Sequence, residues 1–203
     1  MTVVTLHTRL DHQAGLVLGG DVAQLVLRSS NSADFGRNAN PDWQYMRSNM
    51  DAQKLVKTSL DGQIADLART AEHRTIATWA CDCAERVLPL FETHFPEDDR
   101  PRLAIQAGRD WVKTGVFRMA EIRKASLDAH AAARGALEHK AARSAARAAG
   151  QAVAAAHVPS HAIAAAIYAA TAVRATAAAP DAGAAAAGER RWQHRHLLEL
   201  TQR

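Results

Sequence analysis

Residues 72–95, EHRTIATWACDCAERVLPLFETHF, carry apolar side chains at the spacing of an α-helix. One stripe consists of Ile76, Ala80, Cys83, Val87 and Leu90, and the adjacent stripe of Ala77, Cys81, Ala84, Leu88, Phe91 and Phe95. The two stripes together cover more than half of the helix circumference, which is typical of a helix at the centre of a domain. Because proline lacks an amide hydrogen, we expect this helix to bend or end near Pro89.

The helical pattern continues towards the C terminus. Asp98 or Asp99 suits the cap of the next helix, Pro101 its first turn and Gly115 its exit. Further helices are predicted over residues 118–137, from 139 to 156 and from 160 to 173, within a region where 26 of the 50 residues from 141 to 190 are alanine. The sequence therefore predicts an all-α protein, either a compact alanine-rich multi-helix bundle or a helical-repeat-like array of six to eight helices.

The same periodicity predicts which side chains face inwards. On the helix over 118–137 the predicted buried stripe is Met119, Ile122, Ser126, Ala129, Ala133 and Leu137, and on the next helix the predicted outward face is Lys140, Ser144, Arg147 and Gln151. Asp82 and Arg86 have the spacing of an i,i+4 ion pair. The small residues PDAGAAAAGE are predicted to form a linker before a short terminal helix over 189–200, anchored by Trp192.

The N-terminal part differs from the rest of the chain. Residues 1–60 read as an irregular extension with one or two short helices, over 21–28 and 43–57, and a polar loop over 29–42, SSNSADFGRNANPD. The α-helical domain is expected to comprise residues 61–203. A loop of this length suits either a docking loop or a lid over a pocket.

The length of the longest apolar stretch and the distribution of charged residues indicate where the protein is located and which partners it can bind. The longest apolar stretch, AIAAAIYAATAV, spans 12 residues, whereas a membrane-spanning helix needs about 20. The first residues contain no secretory signal, so we expect a soluble, cytoplasmic protein with no membrane partner. Residues 139–203 carry eight Lys/Arg against three Asp/Glu, a net charge of +5, so a partner attracted by charge is expected to meet the C-terminal third.

Two histidines four residues apart, in AHVPSHAIAA, raise the question of a metal site. His157 and His161 would share one face of an unbroken helix, but Pro159 lies between them and disfavours helical continuity. We therefore interpret them as hydrogen-bonding residues at a helix junction and predict no metal and no cofactor. His130, on a neighbouring helix, could supply a third ligand to a metal, but nothing in the sequence requires it.

An enzymatic function has little support in the sequence. Cys81 and Cys83 point about 200° apart on a helix, so they suit small buried residues better than a metal or disulfide pair. No glycine-rich phosphate loop, Gly-x-Ser-x-Gly motif or catalytic carboxylate pair occurs. The candidate residues for a pocket are His73, Asp82, His130, His157 and His161.

A basic segment, ERRWQHRH, surrounds Trp192 near the C terminus. The candidate basic binding patch consists of Lys140, Arg143, Arg147, Arg190, Arg191 and Arg195. Arginines beside an aromatic ring can hold phosphates and stack on a base, which makes a nucleic-acid binder one alternative. The favoured interpretation is an amphipathic terminal helix that docks through Trp192 and Leu200 while its arginines stay solvated.

The stretch HRTIATWACDCAERVLPLFETHFPEDDRPRLAIQAGRDWV, together with DAHAAARGA, ARAAGQAVAAAHV and RRWQHRHL, resembles a family of actinobacterial immunity proteins with an immunity-five-like domain. Its most specific parts are CAERVLPLFE and PEDDRPRLAIQAGR, and the likeness covers about residues 73–200. The resemblance implies a protein partner, a toxin of a polymorphic toxin system. Immunity proteins against nuclease toxins often present acidic surfaces, and the basic C-terminal third does not suit that mode.

Three functions from different classes follow from these observations. The favoured one is a non-catalytic immunity protein that binds and occludes a toxin or another protein partner. The alternative is a small helical enzyme or a ligand-binding, self-resistance protein of specialised metabolism, with a pocket between helices near His130, His157 and His161 and a small-molecule ligand. The second alternative is a helical nucleic-acid binder that uses the basic patch.

Overall fold

The computed structural model describes Val56 and residues 58–202, so the helices and polar loop predicted for residues 1–55 lie outside the described residues. The described helices are α1 (Asp61–Thr70), α2 (His73–Glu92), α3 (Arg100–Thr114), α4 (Met119–Gly135), α5 (Lys140–Ala154), α6 (His161–Thr176) and α7 (Ala182–Thr201). Residues 58–202 contain these seven helices and no strand. The predicted all-α class and number of helices are thus confirmed for this part of the chain. Within it, no helix is long and apolar enough to cross a lipid bilayer.

Local signals in the sequence set several helix ends. Pro101 lies in the first turn of α3, and Gly115 ends this helix in the left-handed conformation with φ of 71°. The amide of Gly115 donates to the carbonyl oxygen of Trp111 at 2.8 Å, which closes the last turn. Helix α2 continues past Pro89 and ends at Glu92, because a proline in the last turn removes only one helical hydrogen bond.

Consecutive helices pack against each other, from α2 to α7. Short connections reverse the chain between them, so one end of the bundle gathers the starts of α2, α4 and α6 and the ends of α3 and α5. Contacts across this end confirm the arrangement, since His73 reaches Ala155 and Phe117 stacks on His157. We call it the His73 end.

Helix α5 lies in the middle of the bundle, where it packs against α2, α3, α4 and α6. Its predicted outward face is wrong at three positions, because Ser144, Arg147 and Gln151 are all buried. Alanines dominate the facing stripes, and their short side chains let helix axes approach until the neighbours cover α5 on every side. Lys140, in the first turn, stays exposed as predicted.

A glycine fixes the distance between α3 and the centre of the bundle. A Cβ atom at Gly108 would lie 2.9 Å from Cys81 Sγ and 3.5 Å from the Cα atom of Val153. Only a residue without a side chain allows this approach of α3 to both α2 and α5.

Helix α7 begins earlier than the sequence predicts. Residues 182–188, expected to be a linker, form its first two turns, because the helix propensity of four consecutive alanines outweighs that of Gly183 and Gly188. Trp192 packs against the hydrophobic core, as predicted for an anchor of this helix. Trp192 is half-buried, whereas the fully buried positions are Arg190, Gln193 and Leu197.

Polar groups attach α7 to the bundle. The indole nitrogen Nε1 of Trp79 donates to the carbonyl oxygen of Gln193 at 2.8 Å, and Gln193 Nε2 donates to the carbonyl oxygen of Ala166 at 3.0 Å. Arg190 is 1% exposed; its Nη2 pairs with Asp61 at 2.6 Å and its Nη1 donates to Gln193 Oε1 at 2.7 Å. We call Asp61, Arg190 and Gln193 the α7 polar network.

Candidate protein-binding surface

Exposed apolar side chains are concentrated on one hairpin of the bundle, formed by α3 and α4. Among the described residues, the large hydrophobic side chains that stay exposed all lie between residues 103 and 137. They are Leu103, Val116, Phe117, Met119, Leu127 and Leu137, with exposed fractions between 42% and 55%. Val116, Phe117 and Met119 lie close together at the turn between the two helices, and a cluster of exposed apolar side chains on a folded protein is typical of an interaction site. We call residues 100–137 the α3–α4 hairpin.

The tip of this hairpin is the most apolar part of the surface. After the turn at Gly115, Val116 is 55% exposed and Phe117 is 42% exposed. The ring of Phe117 stacks on that of exposed His157, with centroids 5.9 Å apart. Met119, which the periodicity placed on a buried stripe, is 44% exposed. Its position in the first turn of α4 leaves it beyond the ends of the helices that would cover it.

The other residues of that predicted stripe follow the expectation except at its far end. Ile122, Ala129 and Ala133 are buried against the bundle. Leu137 is 43% exposed, because α4 ends at Gly135 and the chain leaves the helical register there.

A groove of about 360 Å³ runs between α3 and α4 beside the tip. It is lined by Ala107, Asp110, Trp111, Thr114, Val116, Arg118, Glu121 and Ile122. Apolar groups form its floor, and side chains of both charges form its rim. This is the composition expected of a protein interface, which has an apolar centre and a polar rim.

The hairpin is strongly basic. Residues 100–137 contain eight Lys/Arg and three Asp/Glu, which gives a net charge of +5 with histidine neutral. The net charge of residues 1–138 as a whole is only about −1, because acidic residues outside the hairpin offset its basic residues. The total for this part of the chain therefore does not reveal the basic hairpin. Three of the arginines pair with carboxylates outside the hairpin: Arg100 with Asp98, Arg102 with Glu92, and Arg109 with Asp82 and Glu85.

Three of the predicted pocket histidines lie at the His73 end. His73 Nε2 donates to the carbonyl oxygen of Ala155 at 2.7 Å, and its ring packs against Trp111 at a centroid distance of 4.8 Å. His161 Nδ1 donates to Gln151 Oε1 at 2.6 Å. His157 lies in the turn between α5 and α6, so Pro159 separates the two histidines as predicted.

His130 lies deeper, on α4 against α5. Its ring atoms would lie 2.9–3.0 Å from a Cβ atom at Gly150, so the glycine makes room for the imidazole. Burial lowers the pKa of His130 to about 3, with smaller contributions from Arg147, His161 and Arg134. Burial, followed by the charge of His157, lowers the pKa of His161 to about 4. Both imidazoles are therefore neutral at pH 7.

The residues described by the structure contain no group of three or more His, Cys, Asp or Glu side chains that could hold a metal ion. His130, His157 and His161 are near one another, but a hydrogen bond to Gln151 and a ring contact to Phe117 occupy two of them.

Asp82 lies apart from these histidines, where α2, α3 and α7 meet. Arg109 Nη2 donates to its Oδ1 at 2.8 Å, and His196 Nε2 lies 2.7 Å from its Oδ2. The predicted pair between Asp82 and Arg86 is wrong, because Arg86 instead reaches Glu189 at 3.2 Å. Contacts to other helices outweigh the local i,i+4 spacing.

Both cysteines are free and buried. Burial raises the pKa of the Cys81 thiol to about 12, and it also raises the pKa of the Cys83 thiol well above its ordinary value. Neither thiol is therefore a nucleophile near neutral pH.

The predicted basic patch is divided between the interior and the surface. Arg147 is 5% exposed, so its predicted outward position is wrong. Arg190 is 1% exposed, so the expectation that the arginines of the terminal helix stay solvated is wrong for this residue. Arg143 is half-buried, and Lys140, Arg191 and Arg195 are exposed. Arg190 is neutralised by Asp61 on α1, a contact that periodicity alone does not reveal.

Of the α3–α4 hairpin, only His130 was among the predicted site residues, and the exposed apolar residues at its tip were not. The sequence contains one signal for them, the apolar residues of GVFRM directly after a glycine that ends a helix. Apolar residues in such a turn have no helical neighbours to cover them.

The fold and these surfaces are consistent with a binding protein. Residues 66–200 match the model of the Imm-5 like putative immunity protein family, and because this match covers about two thirds of the chain, the chain belongs to that family. Membership in an immunity protein family points to an immunity role with a protein partner such as a toxin. No curated protein and no solved structure matches the chain.

Proposed function

We propose that this chain is an immunity protein that binds a toxin through the α3–α4 hairpin and occludes it. Family membership supports the immunity role, and the observation that carries the choice of surface is the concentration of exposed apolar side chains on this one hairpin. The proposed complex forms in the cytoplasm, where the thiols of Cys81 and Cys83 stay reduced.

The hairpin has the physical properties of a preformed interface. Its inner face is fixed to the bundle by buried Ala104, Gly108 and Ala129, so binding requires little ordering of the backbone. Phe117 and Met119 at its tip belong to residue types enriched in the centres of protein interfaces. Because less than half of each side chain is exposed, a partner that buries the rest gains roughly 1 kcal/mol from each.

The charge of the hairpin defines the chemistry of the partner. Carboxylates outside the hairpin pair with Arg100, Arg102 and Arg109, and the other five Lys/Arg against three Asp/Glu leave a net charge of +2, which fits a toxin that presents an apolar patch with an acidic rim. Opposite charges of this kind accelerate association, and the rate should fall as the salt concentration rises. An acidic patch is the opposite of the basic surface that a nuclease uses to hold its substrate.

The first experiment is native mass spectrometry of the protein purified from its own host, with metal analysis of the same sample. We expect a co-purifying protein of fixed stoichiometry. The partner is then purified separately, its toxicity and activity are measured, and the complex is rebuilt with wild-type chain, with Phe117→Asp and with Ala184→Asp. Ala184 is exposed on α7, so its substitution is a matched control that adds one negative charge away from the hairpin.

We expect wild-type chain and Ala184→Asp to bind and inhibit the partner, and Phe117→Asp to lose at least a hundredfold in affinity. If Phe117→Asp binds as well as wild type, the partner uses another surface. A co-purifying protein without toxicity, or a toxin that stays active in the complex, contradicts the immunity function itself.

A further inference from the structure

A second cluster of polar side chains lies inside the bundle, between α4, α5 and α6, away from the hairpin tip. It consists of His130 and Arg134 on α4, Arg143 and Arg147 on α5, and Tyr168 on α6. We call it the cationic cluster. The guanidinium carbon of Arg147 lies 6.0 Å from the centre of the Tyr168 ring, and both side chains are buried.

Arg147 is a buried charge without a carboxylate partner among the described residues. Arg190 provides the internal comparison, because it is buried to a similar extent and pairs with Asp61 at 2.6 Å. No ion pair within residues 58–202 joins Arg147 to an Asp or Glu. Arg147 donates a hydrogen bond to Tyr168, a neutral partner that does not balance its charge. Buried charges are normally balanced by an opposite charge or bind an ion.

Two further atoms of the cluster lack hydrogen-bond partners. His130 Nδ1 and Arg143 Nε are both buried and unpartnered. His130 is 8% exposed, and its ring is held in place against Gly150. Buried polar atoms of proteins are almost always hydrogen-bonded, so these two orphaned atoms, together with the unbalanced charge of Arg147, point to a missing acceptor.

The charges that act within the cluster all have one sign. Besides burial, the groups that lower the pKa of His130 are Arg147, His161 and Arg134. Burial raises the pKa of Tyr168, and the charge of Arg147, its hydrogen bond to Tyr168 and the charge of Arg143 act against this increase. No carboxylate is among the groups that shift the pKa of His130 or of Tyr168, so the electrostatic potential in the cluster is positive.

We propose that the cationic cluster binds a small oxyanion, a carboxylate or phosphate group, between α4, α5 and α6. The planar guanidinium of Arg147 can donate two parallel hydrogen bonds to two oxygens of such a group. Tyr168 and the orphaned atoms of Arg143 and His130 supply further donors. The site is independent of the toxin surface at the hairpin tip, so either proposal can fail without the other.

The test uses the full chain, transferred into a chloride buffer without oxyanions. Thermal unfolding is followed during titration with inorganic phosphate and, separately, with malonate, against sodium chloride of matched ionic strength. At a hundred times the Kd, we expect Tm to rise by about 5 °C above the chloride control. A response to phosphate alone identifies a phosphate group as the ligand, and a response to malonate alone identifies a carboxylate.

Arg147→Met separates this proposal from a structural role of the arginine. Because the substitution removes an unpaired buried charge, we expect it to abolish the response to oxyanions and to raise Tm in chloride. Arg191→Met on the exposed side of α7 is the matched control and should keep both the wild-type Tm and the wild-type response. Tyr168→Phe preserves the ring, and isothermal titration should show about tenfold weaker binding.

Three results would overturn the proposal. They are a Tm that responds to both oxyanions no more than to chloride, an Arg147→Met variant that keeps the response, and an Arg147→Met variant that is less stable than wild type in chloride. The last result would mean that the charge of Arg147 is already paired within the chain.

Discussion

Helix α7 and the α3–α4 hairpin differ in which side chains they bury. On α7 the buried positions include Arg190, which is 1% exposed, and Gln193, which is fully buried. On the hairpin, Leu103 is 54% exposed and Phe117 is 42% exposed. Each segment therefore departs from the rule that apolar side chains face inwards and charged ones outwards.

The two departures have different physical consequences. Arg190 and Gln193 have their hydrogen-bonding groups satisfied by Asp61, Glu189 and the carbonyl oxygen of Ala166, so their burial fixes the position of α7. Phe117 is 42% exposed and its ring stacks on exposed His157, so we expect it to contribute little to the fold. A buried polar network indicates a structural role, whereas exposed apolar residues indicate a surface for a partner.

Substitution of Arg190 should produce the largest change in stability. In Arg190→Met, the carboxylate of Asp61 and the Oε1 atom of Gln193 lose their donor inside the protein. We expect a loss of about 3–5 kcal/mol in the free energy of unfolding, measured by urea denaturation. Arg191→Met, one residue further and exposed, should change it by less than about 0.5 kcal/mol. Equal effects of the two substitutions would show that the α7 polar network does not hold the helix.

Acidification tests whether burial keeps the imidazoles of His130 and His161 neutral in the folded protein. An unfolded histidine titrates near 6.5, whereas His161 in the folded protein has a pKa of about 4. The unfolded chain therefore binds the proton first, and stability falls as the pH decreases from 6.5 towards 4. Between pH 7 and pH 5 we expect His161 to account for a loss of about 2 kcal/mol, and His130 for a similar amount.

His161→Gln removes this titration and should flatten the pH dependence by about 2 kcal/mol over that range. His94→Gln, at an exposed position beside His139 and away from His161, is the control for the substitution itself. Urea denaturation at a series of pH values provides both measurements. A flat profile in the wild-type protein would mean that neither imidazole is held neutral by burial.

The inner face of the hairpin should tolerate no additional volume. Gly108→Ala places a methyl group 2.9 Å from Cys81 Sγ, and we expect overpacking to reduce the free energy of unfolding by about 1–3 kcal/mol. Gly135 lies in the same hairpin, and its added Cβ would meet nothing within 4 Å. Gly135→Ala should therefore be neutral or stabilise by up to about 1 kcal/mol. Thermal unfolding of the two variants compares the two sides of the hairpin directly.

The smallest effect on stability is expected at the tip of the hairpin. Phe117→Asp removes only a partly exposed ring contact, so the free energy of unfolding should change by less than about 0.5 kcal/mol although binding of the toxin is lost. Urea denaturation checks the first quantity. A large loss of stability in this variant would assign Phe117 to the fold, and the contrast with Arg190 would disappear.

Sequence periodicity predicted the helices well where several signals agreed. Pro101 and Gly115 bracket α3, and the two stripes of residues 72–95 correspond to the buried side of α2. It failed for residues 182–188, where small residues were interpreted as a linker although alanine favours the helix. The family resemblance was confirmed over residues 66–200, because it depends on specific residues such as CAERVLPLFE rather than on alanine content.

The candidate surface was harder to predict, since exposure depends on neighbours that are distant in the chain. Periodicity separates two faces of one helix but does not show how many other helices surround it. Arg147 was therefore placed outside and is buried, and Met119 was placed inside and is exposed.

The sequence by itself determined the helical class, the positions of the turns at Pro101, Gly115 and Pro159, and the family, because propensity, capping and local motifs act within a few residues. Tertiary structure alone decided that α5 is covered on every side, that Arg190 pairs with Asp61 across 129 positions, and that Phe117 faces solvent. The physical reason is that burial and ion pairing depend on which helices meet. That choice follows from the packing of the whole bundle rather than from any one segment.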